Sequence, residues 1–550
     1  MAGAFTSCEQ PLSEAWGSAP LAAAFLRGEP ALNEFYPYPP APDGARRAWP
    51  DRQAQVFVAP RGDLVAALAA TIEPLNPTAA QRANLERLAA PATAVVVTGQ
   101  QPGLFGGPLL TLHKALTAVV EAARRTAAGW PTVPVFWVAT EDDDWAEVAT
   151  TISLNAEHEL QRLRLDLEPS PNHCVGPVAL DTAVMDRLWA QLASALPAGD
   201  AALALPDQLR VWTAGATTLG DHFKQLMQAL LGPLGLLFVD PLQPELRRLC
   251  LPFAHRLLAD PLGPTRLAGR AAARLEALGH RATSHRPPDL CAFYLVQDGQ
   301  RHRLTFDGES FSTDNGERLY RDDLAARLEA DPCALSYSML LRPVVQDFLL
   351  PTASLVVGPG EISYCAQVAP IYGHLGVARP HLLARRSLTL VPPRAARTLD
   401  RYGLRPCDFE VPLDQLLAQV VRAESGLSSA RAVAAAQDAV AAALAPLVEH
   451  AGEVDSTLTA AAQRVGTRLA VDLDRLGTRL QRAHRRQADI DRRRLAAAQA
   501  WLAPGGRPQE RVLGLLPFLA LSGPALVERV QAAVEATPWD VHGVLGLFDE

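Results

Sequence analysis

Short apolar runs alternate with longer amphipathic stretches through the first 400 residues. Runs of four to eight residues rich in Val, Leu and Phe are typical of strands buried on both faces. Between them, apolar residues recur at helical spacing, as over residues 109–128 and 209–231. This alternation predicts an α/β fold built on a doubly wound parallel sheet, whose ligands bind beyond the carboxyl ends of the strands. The five predicted strands are Ala94–Thr98, Val133–Val138, Leu236–Asp240, Ser354–Val357 and one within 381–391.

Two regions depart from this alternation. Residues 1–90 have helical and loop patterns interrupted by prolines, and we expect them to pack on the core. Over residues 260–340, two β-rich runs flank Asp298 and Gly299, a pair typical of a hairpin turn. The sequence therefore predicts a small subdomain inserted into the α/β core.

The last quarter of the chain is rich in Ala, Leu, Arg and Gln. Apolar residues recur there every three or four positions from Leu458 to Leu480, and a shorter helix of the same kind precedes them. Two such helices with a short break predict an antiparallel coiled-coil hairpin over residues 429–503. A plain helical bundle on the core is the alternative, favoured by Gly466 and Gly477 inside the longer run.

Length and composition set the domain plan. The chain has 550 residues, 49% of them hydrophobic and 20% charged, which excludes a mostly disordered protein and predicts more than one compact unit. We expect a helical and loop segment at 1–90, the α/β core at 91–400 with its insertion at about 260–340, and a helical coiled-coil domain at 401–550.

Charge and cysteine content narrow the class of protein. A net charge of −8 argues against binding to duplex nucleic acid. No uncharged apolar run is long enough to cross a bilayer, and the N-terminus lacks a secretory pattern. The seven cysteines include no CxxC pair, which suits a reducing cytoplasm and predicts no zinc site.

A glycine-rich turn joins the first predicted strand to a helix. Gly99 permits a sharp turn, and Gly106 and Gly107 allow a ligand to approach the backbone closely. The following helix offers unpaired N–H groups to an anion, with His113 and Lys114 in its second turn. Lys114 is one of only two lysines in the chain. A partly buried histidine with satisfied hydrogen bonds is the equal alternative for His113.

An acidic run ends the second predicted strand. Glu141, Asp142, Asp143 and Asp144 repel one another unless an amine, an arginine or Mg²⁺ lies among them. They therefore predict a cation-binding edge of the site, and a solvated acidic loop is the alternative. Trp145 either closes an apolar side of the pocket or belongs to the core.

A second glycine turn leads from the fourth predicted strand into a helix. It begins at Gly358, and Glu361 and Tyr364 lie three residues apart on one face of that helix. Arg342 precedes it and suits bidentate binding of a carboxylate or phosphate. An ion pair between Arg342 and Asp347 is equally compatible with the spacing.

Four blocks in a fixed order carry a resemblance to a known family. Shorter matches, FYPY at 35–38 and PQERV at 508–512, extend it nearly end to end. The chain resembles the bacillithiol-biosynthesis cysteine-adding enzymes, which are cysteine ligases. The four blocks are TGQQPGLFGGP at 98–108, VFWVATEDDD at 135–144, LRPVVQD at 341–347 and GPGEI at 358–362.

The resemblance implies a Rossmann-like core, inserted connecting-peptide segments, and a C-terminal coiled coil that forms a homodimer. It implies a reaction that joins the carboxyl group of L-cysteine to the amine of glucosaminyl-malate, giving bacillithiol. Kinship with class I aminoacyl-tRNA synthetases implies ATP as the activating cofactor, with Mg²⁺ compatible with it. The chain departs from those synthetases, because it has neither their His-x-Gly-His turn nor a late lysine loop.

Site roles follow from the resemblance together with the turns described above. No residue is assigned as a metal ligand. The expected catalytic residues are His113, Lys114, Glu141, Asp142 and Asp144. The expected substrate-binding residues are Thr98, Gly99, Gln100, Gln101, Phe105, Gly106, Gly107, Trp145, Arg342, Gln346, Gly358, Pro359, Glu361 and Tyr364.

Two other functions remain compatible with the residues. One is a coiled-coil scaffold whose sheet domain binds a nucleotide or a sugar acid without turnover. The other is a different nucleotidyl transfer on the same core, which the missing synthetase motifs disfavour. Under the ligase interpretation the partners are L-cysteine, glucosaminyl-malate and a second copy of the chain, with no nucleic acid and no membrane.

Overall fold

The computed structural model describes residues 5–55, 59–199, 201–424 and 429–547. The chain forms two compact units, one of Met1–Pro392 with Gln509–Glu550 and the other of Pro393–Pro508. The segment after the second unit therefore belongs to the first.

The elements have the following bounds. The strands are β1 Phe5–Pro11, β2 Ala94–Gln100, β3 Thr132–Val138, β4 Thr150–Leu154, β5 Leu160–Arg164, β6 Leu237–Val239, β7 Leu290–Gln297, β8 Gln300–Phe306, β9 Ser310–Thr313, β10 Arg318–Tyr320, β11 Leu335–Tyr337, β12 Thr352–Val357, β13 His381–Ala384, β14 Ser387–Val391 and β15 Val541–Gly546. The first-unit helices are α1 Leu12–Ala15, α2 Pro20–Leu26, α3 Gly44–Ala54, α4 Arg61–Ile72, α5 Ala79–Ala89, α6 Leu110–Ala127, α7 Trp145–Val148, α8 Thr182–Ser194, α9 Leu205–Trp212, α10 Leu219–Leu231, α11 Pro244–Leu249, α12 Leu251–Ala259, α13 Gly263–Ala277, α14 Arg321–Ala330, α15 Arg342–Leu349 and α16 Pro359–His374. The second unit contains α17 Pro393–Tyr402, α18 Leu413–Glu424, α19 Ser429–Val454 and α20 Ser456–Leu502, after which α21 Gln509–Val512, α22 Leu516–Ser522 and α23 Ala525–Ala536 complete the first.

A five-stranded parallel sheet forms the centre of the first unit. Its order is β13-β12-β2-β3-β6. From β2 the chain adds β3 and β6 on one side, and it later adds β12 and β13 on the other side. This is the order of a Rossmann-like half, and the strand order reverses between β2 and β12. Every residue of β3 and β12 is buried, which explains their continuous apolar sequences. The predicted doubly wound sheet is confirmed.

The βα unit that starts at β2 anchors this sheet. Helix α6 buries one face against it, where Val96, Ala118 and Val356 belong to one cluster. The connecting turn has left-handed backbone at Phe105, Gly106 and Gly107. A Cβ on Gly106 would lie 2.7 Å from Leu515 Cδ1, so this turn packs tightly against the protein interior.

The predicted insertion contains its own antiparallel sheet. Strands β7 to β11 pair in the order β10-β9-β8-β7-β11, and β7 and β8 form the predicted hairpin. Arg301, on β8 of this sheet, forms an ion pair with Asp143 in the acidic run that follows β3.

The fifth predicted strand is wrong in one respect. Residues 381–391 form two strands, and only β13 joins the central sheet. Strand β14 pairs instead with β15, which also pairs with β1, and this mixed sheet unites the two ends of the chain. Neither β1 nor β15 was predicted.

The second unit contains the predicted helical hairpin. Only Asp455 separates α19 from α20, and its carboxylate caps the backbone N–H of Thr457. A Cβ on Gly477 would lie 3.1 Å from Val433, so this glycine permits close helix approach rather than breaking α20.

Among the described residues, one helical stretch, Arg431–Val454, is long and apolar enough to cross a membrane by length and composition. No such stretch was predicted, because Asp438 interrupts its apolar sequence. In the structure it is most of α19 and packs along α20, where Gln437 donates a hydrogen bond to Asp474 at 2.9 Å.

Candidate functional site

A cavity of about 570 Å³ opens at the carboxyl ends of the central strands. Gly99 and Gln100 at the end of β2 line it, and so does Gly358, directly after β12. These are the two strands between which the order reverses, the place where α/β sheets bind ligands. The acidic residues 142–144 after β3 complete the rim.

The structure brings twelve of the predicted site residues to this one cavity. Two glycine turns and an acidic strand end, distant in sequence, therefore meet as the strand order predicted. The twelve are Gly99, Gln100, Gln101, Lys114, Asp142, Asp144, Arg342, Gln346, Gly358, Pro359, Glu361 and Tyr364.

Lys114 reaches back from α6 to the two glycine turns. Its Nζ lies 3.0 Å from the carbonyl oxygen of Gly99, 2.8 Å from Gln100 Oε1 and 2.8 Å from Glu361 Oε2. Burial lowers the pKa of Lys114, and the carboxylate of Glu361 opposes that effect. Glu361 also accepts a hydrogen bond of 2.7 Å from the N–H of Gly358. One ammonium group thus ties β2 to the start of α16.

Arginines, rather than solvent alone, surround the acidic run. Arg301 Nη1 lies 3.1 Å from Asp143 and 3.6 Å from Asp142. Asp142 also accepts hydrogen bonds from Gln101 at 2.8 Å and from Arg342 at 3.4 Å. The alternative of a freely solvated loop is therefore wrong, although Asp144 remains exposed.

Arg342 faces the cavity and not Asp347. The carboxylate of Asp347 accepts a hydrogen bond of 2.6 Å from Tyr372, in the protein interior. Burial, and then the negative charge of Glu361, raise the pKa of Tyr364 beside Arg342. Tyr364 is therefore a neutral hydroxyl at physiological pH, able to donate one hydrogen bond.

Glu147 brings a further carboxylate to the acidic side, one turn after Asp144. Partial burial, and then the charges of Asp144 and Asp142, raise the pKa of Glu147. A carboxylate with a raised pKa is a better proton acceptor than an ordinary one.

Seven predicted site residues lie outside the cavity lining, and any role they have stays a prediction. Four belong to the first turn or its strand: Thr98 bonds to the Val356 carbonyl oxygen, and Phe105, Gly106 and Gly107 pack inward. The other three are His113, Glu141 and Trp145.

Partners outside the cavity lining hold these three side chains. His113 is fully buried with Nδ1 2.8 Å from Glu510 Oε2, and burial lowers its pKa. Glu141 forms a buried ion pair with Arg247. Trp145 donates a hydrogen bond of 2.9 Å to the carbonyl oxygen of Leu167.

Sequence reasoning missed several residues that line or support the cavity. Arg385 and Arg511 line it, and Arg301 comes from the insertion. The PQERV match at 508–512 contains Arg511 and was the available signal. No pattern in the sequence indicated Arg301 or Arg385.

The described residues contain no group of three His, Cys, Asp or Glu side chains placed to hold a metal ion. The aspartates at the cavity are instead paired with arginines. The protein therefore offers no preformed metal cage in the part of the chain that the structure describes.

Comparison with known proteins gives matches along most of the chain. Residues 9–386 match the family model "Bacillithiol biosynthesis BshC, N-terminal Rossmann-like domain", and residues 388–543 match "Bacillithiol biosynthesis BshC, C-terminal coiled-coil domain". A relative from Thermus thermophilus is 36% identical over 476 residues, 86% of this chain and 92% of its own. One from Salinibacter ruber is 34% identical over 479 residues, 85% of each chain. Both carry the name "Putative cysteine ligase BshC".

Proposed function

The chain belongs to the BshC family of bacillithiol biosynthesis, and we propose that it is a cysteine ligase joining L-cysteine to the amine of glucosaminyl-malate. The product is an amide, and the free thiol of the cysteine is retained. Relatives named as cysteine ligases support the reaction class. The second substrate follows from the family's place in bacillithiol biosynthesis.

The observation that carries the proposal is the charge distribution of the cavity. Lys114, Arg342, Arg385 and Arg511 supply cations. Asp142 to Asp144 and Glu147 supply carboxylates along the β3 side. Glucosaminyl-malate brings carboxylates and an amine, and L-cysteine brings one of each. A cavity that presents both signs of charge matches substrates that carry both.

Proton removal falls to the exposed carboxylates. An alkyl ammonium has no lone pair, so the sugar amine must lose a proton before it attacks a carbonyl carbon. Asp144 and Glu147 line the cavity, and within the part of the chain that the structure describes they form none of the arginine ion pairs that engage Asp142. The raised pKa of Glu147 suits it to accept that proton.

Arg342 and Lys114 occupy the places where negative charge gathers. A guanidinium binds a carboxylate through paired hydrogen bonds, and Arg342 is held toward the cavity by Asp142. Gly99, Gln100 and Glu361 engage the three N–H groups of Lys114, so its positive charge, rather than a further hydrogen bond, stabilises the oxyanion that develops as the amide forms.

A free carboxylate is a poor electrophile, and ATP is the proposed source of its activation. The cavity cations Lys114, Arg385 and Arg511 are suited to phosphate oxygens. Mg²⁺ enters only as the counter-ion of ATP, because the described residues form no cage for it.

A direct assay tests the function. The purified protein with L-cysteine, glucosaminyl-malate and MgATP should form bacillithiol, measured by mass spectrometry after thiol labelling, with ATP consumed only when both other substrates are present. Binding of glucosaminyl-malate without any product would favour the scaffold alternative and contradict the proposal.

We further propose that the protein acts in the cytoplasm as a homodimer through its coiled coil. Helix α20 exposes a row of apolar side chains that a second copy would cover: Val465 is 52% exposed and Leu476 is 51% exposed. Light scattering after deletion of residues 429–503 checks this, since an unchanged dimer mass would place the interface elsewhere.

A further inference from the structure

Helix α21 places a carboxylate behind the cavity wall. Its Gln509 side chain exchanges hydrogen bonds of 2.8 and 2.7 Å with the backbone of Leu390 in β14, which fixes the helix to the first unit. The next residue, Glu510, is 3% exposed. Arg511, next in turn, lines the cavity.

Glu510 accepts four hydrogen bonds. Arg385 donates from both terminal nitrogens, Nη1 and Nη2, at 2.5 Å each. Ser387 donates from its hydroxyl at 2.9 Å, and His113 Nδ1 lies at 2.8 Å. Because burial lowers the pKa of His113, the cation that pairs with Glu510 among the described residues is Arg385.

Arg385 is held so that one edge of its guanidinium remains available. It follows β13 directly and is 1% exposed, and its two hydrogen bonds to Glu510 leave from Nη1 and Nη2 rather than from Nε. That nitrogen faces Gly358, where an added Cβ would lie only 3.2 Å from it. Gly358 precedes α16, a helix of 16 residues whose first turn lines the same cavity with Pro359, Gly360 and Glu361. Pro359 has no N–H and Glu361 caps the Gly358 N–H, so the first-turn donors for a ligand are the N–H groups of Gly360 and Glu361.

We propose that Glu510 is a positioning residue that fixes Arg385 so that its Nε, together with the N-terminus of α16, binds an anionic oxygen group of a substrate. The inference rests on the proposed function and names the part of the site that receives the anion. All three substrates carry such a group, but the carboxylate of L-cysteine is the group that reacts. The candidates for this subsite are therefore glucosaminyl-malate, through its carboxylates, and ATP, through its phosphates.

The surrounding charges permit this subsite. The carboxylate of Glu361 would repel a bound anion, since it lies at the same helix N-terminus, where it accepts the hydrogen bond of the Gly358 N–H. Lys114 pairs with Glu361 at 2.8 Å and balances it. With Glu510 and Glu361 each paired, the partial positive charge of the helix N-terminus and the Nε–H of Arg385 remain to attract an anion.

The test uses Glu510→Gln, which keeps the size of the side chain and removes its charge. We expect kcat/KM to fall at least 30-fold, chiefly through a higher KM for one anionic substrate, with the KM for L-cysteine within about threefold. Whether the KM for ATP or for glucosaminyl-malate rises identifies the source of the anion. A merely structural role would lower stability without this selective change in KM.

The matched control is Glu121→Gln. Glu121 is also 3% exposed and paired with arginines, with Arg125 Nε at 2.7 Å, but it does not line or support the cavity. It should lose stability and keep all three KM values. Should Glu510→Gln fail to fold, Arg385→Lys retains a cation without the Nε donor and should raise the same KM.

A binding measurement separates this inference from the ligase reaction. Calorimetry with L-malate and with inorganic phosphate should show binding of at least one probe that weakens tenfold or more in Glu510→Gln and stays unchanged in Glu121→Gln. Such binding without ligase turnover would contradict the proposed function and support the subsite. Binding of neither probe, or unchanged KM values in both Glu510→Gln and Arg385→Lys, would overturn the inference.

Discussion

The chain contains only two lysines, and their replacement tests the site by comparison. Lys114 lines the cavity and Lys224 does not, although both are largely buried and paired with a carboxylate at 2.8 Å. Lys114→Met should abolish most ligase activity, whereas Lys224→Met should leave kcat/KM within about threefold of the wild type. Both variants lose one ammonium group from an ion pair. Comparing the two variants therefore separates an effect on catalysis from an effect on stability.

The magnitudes follow from the geometry. At an effective dielectric constant of about 20, charges 2.8 Å apart attract by about 6 kcal/mol, and dehydration of the ammonium offsets part of this. Removal of one partner of a buried pair costs about 3–5 kcal/mol. Since the Glu361 side chain is 21% exposed, we expect Lys114→Met to lower the free energy of unfolding by about 3 kcal/mol, the low end of that range. Loss of the oxyanion-stabilising charge should lower kcat/KM by about 10²–10³-fold.

The assay measures thiol product at a temperature well below the melting point of each variant. Thermal melting supplies the stability comparison, in which both variants should melt below the wild type. Equal activity of Lys114→Met and Lys224→Met would refute the assignment of Lys114 to the reacting centre.

Three further outcomes follow from the structure. Burial lowers the pKa of His222 to about 4, below its unfolded value of about 6.5, so the stability it contributes is present above pH 6.5 and falls as the pH drops toward 4. His222→Leu should remove about 3 kcal/mol of the unfolding free energy that is lost as the pH falls. The melting temperature of this variant should therefore depend less on pH, and an unchanged pH profile would contradict the reasoning. Gly99→Ala should lower both stability and activity, because its Cβ would lie 2.8 Å from the Trp137 carbonyl oxygen. Gly62→Ala, in helix α4 with no atom within 4 Å of the added Cβ, should melt at or slightly above the temperature of the wild type, since alanine is the better helix former. Leu469→Lys, at an apolar side chain 41% exposed on α20, should shift the mass in light scattering from dimer to monomer without changing the melting of the first unit.

The central sheet could be predicted because its strands are buried on both faces. Runs such as Ala94–Thr98 and Val133–Val138 have no polar alternation, and that continuity is itself the signal of a parallel sheet. The glycine turns could be predicted for a different reason: each lies between a strand and a helix that follow it directly in the sequence. The antiparallel helix pair was likewise readable from spacing.

Pairings across long sequence separations could not be read in this way. Strand β1 finds its partner at β15, with Phe5 opposite Leu545, and neither run is distinctive by itself. Glu510 forms an ion pair with Arg385, although the whole second unit lies between these two residues in the sequence. No local pattern encodes such contacts, because they depend on the completed topology.

The direction of side chains on α6 explains why one predicted catalytic residue lies off the cavity. His113 and Lys114 are adjacent, so they point about 100° apart around the helix. Lys114 faces the glycine turns and His113 faces Glu510. Sequence alone indicated that this turn of helix matters and left open which of the two residues meets the ligand.

The most direct measurement is a crystal structure of the protein with glucosaminyl-malate bound. We predict density in the cavity between Gly99 and Gly358, with the amine on the side of Asp144 and Glu147 and a carboxylate beside Arg342 or Arg385. Density for the ligand on the helical hairpin or elsewhere on the surface, with this cavity filled only by solvent, would contradict the account.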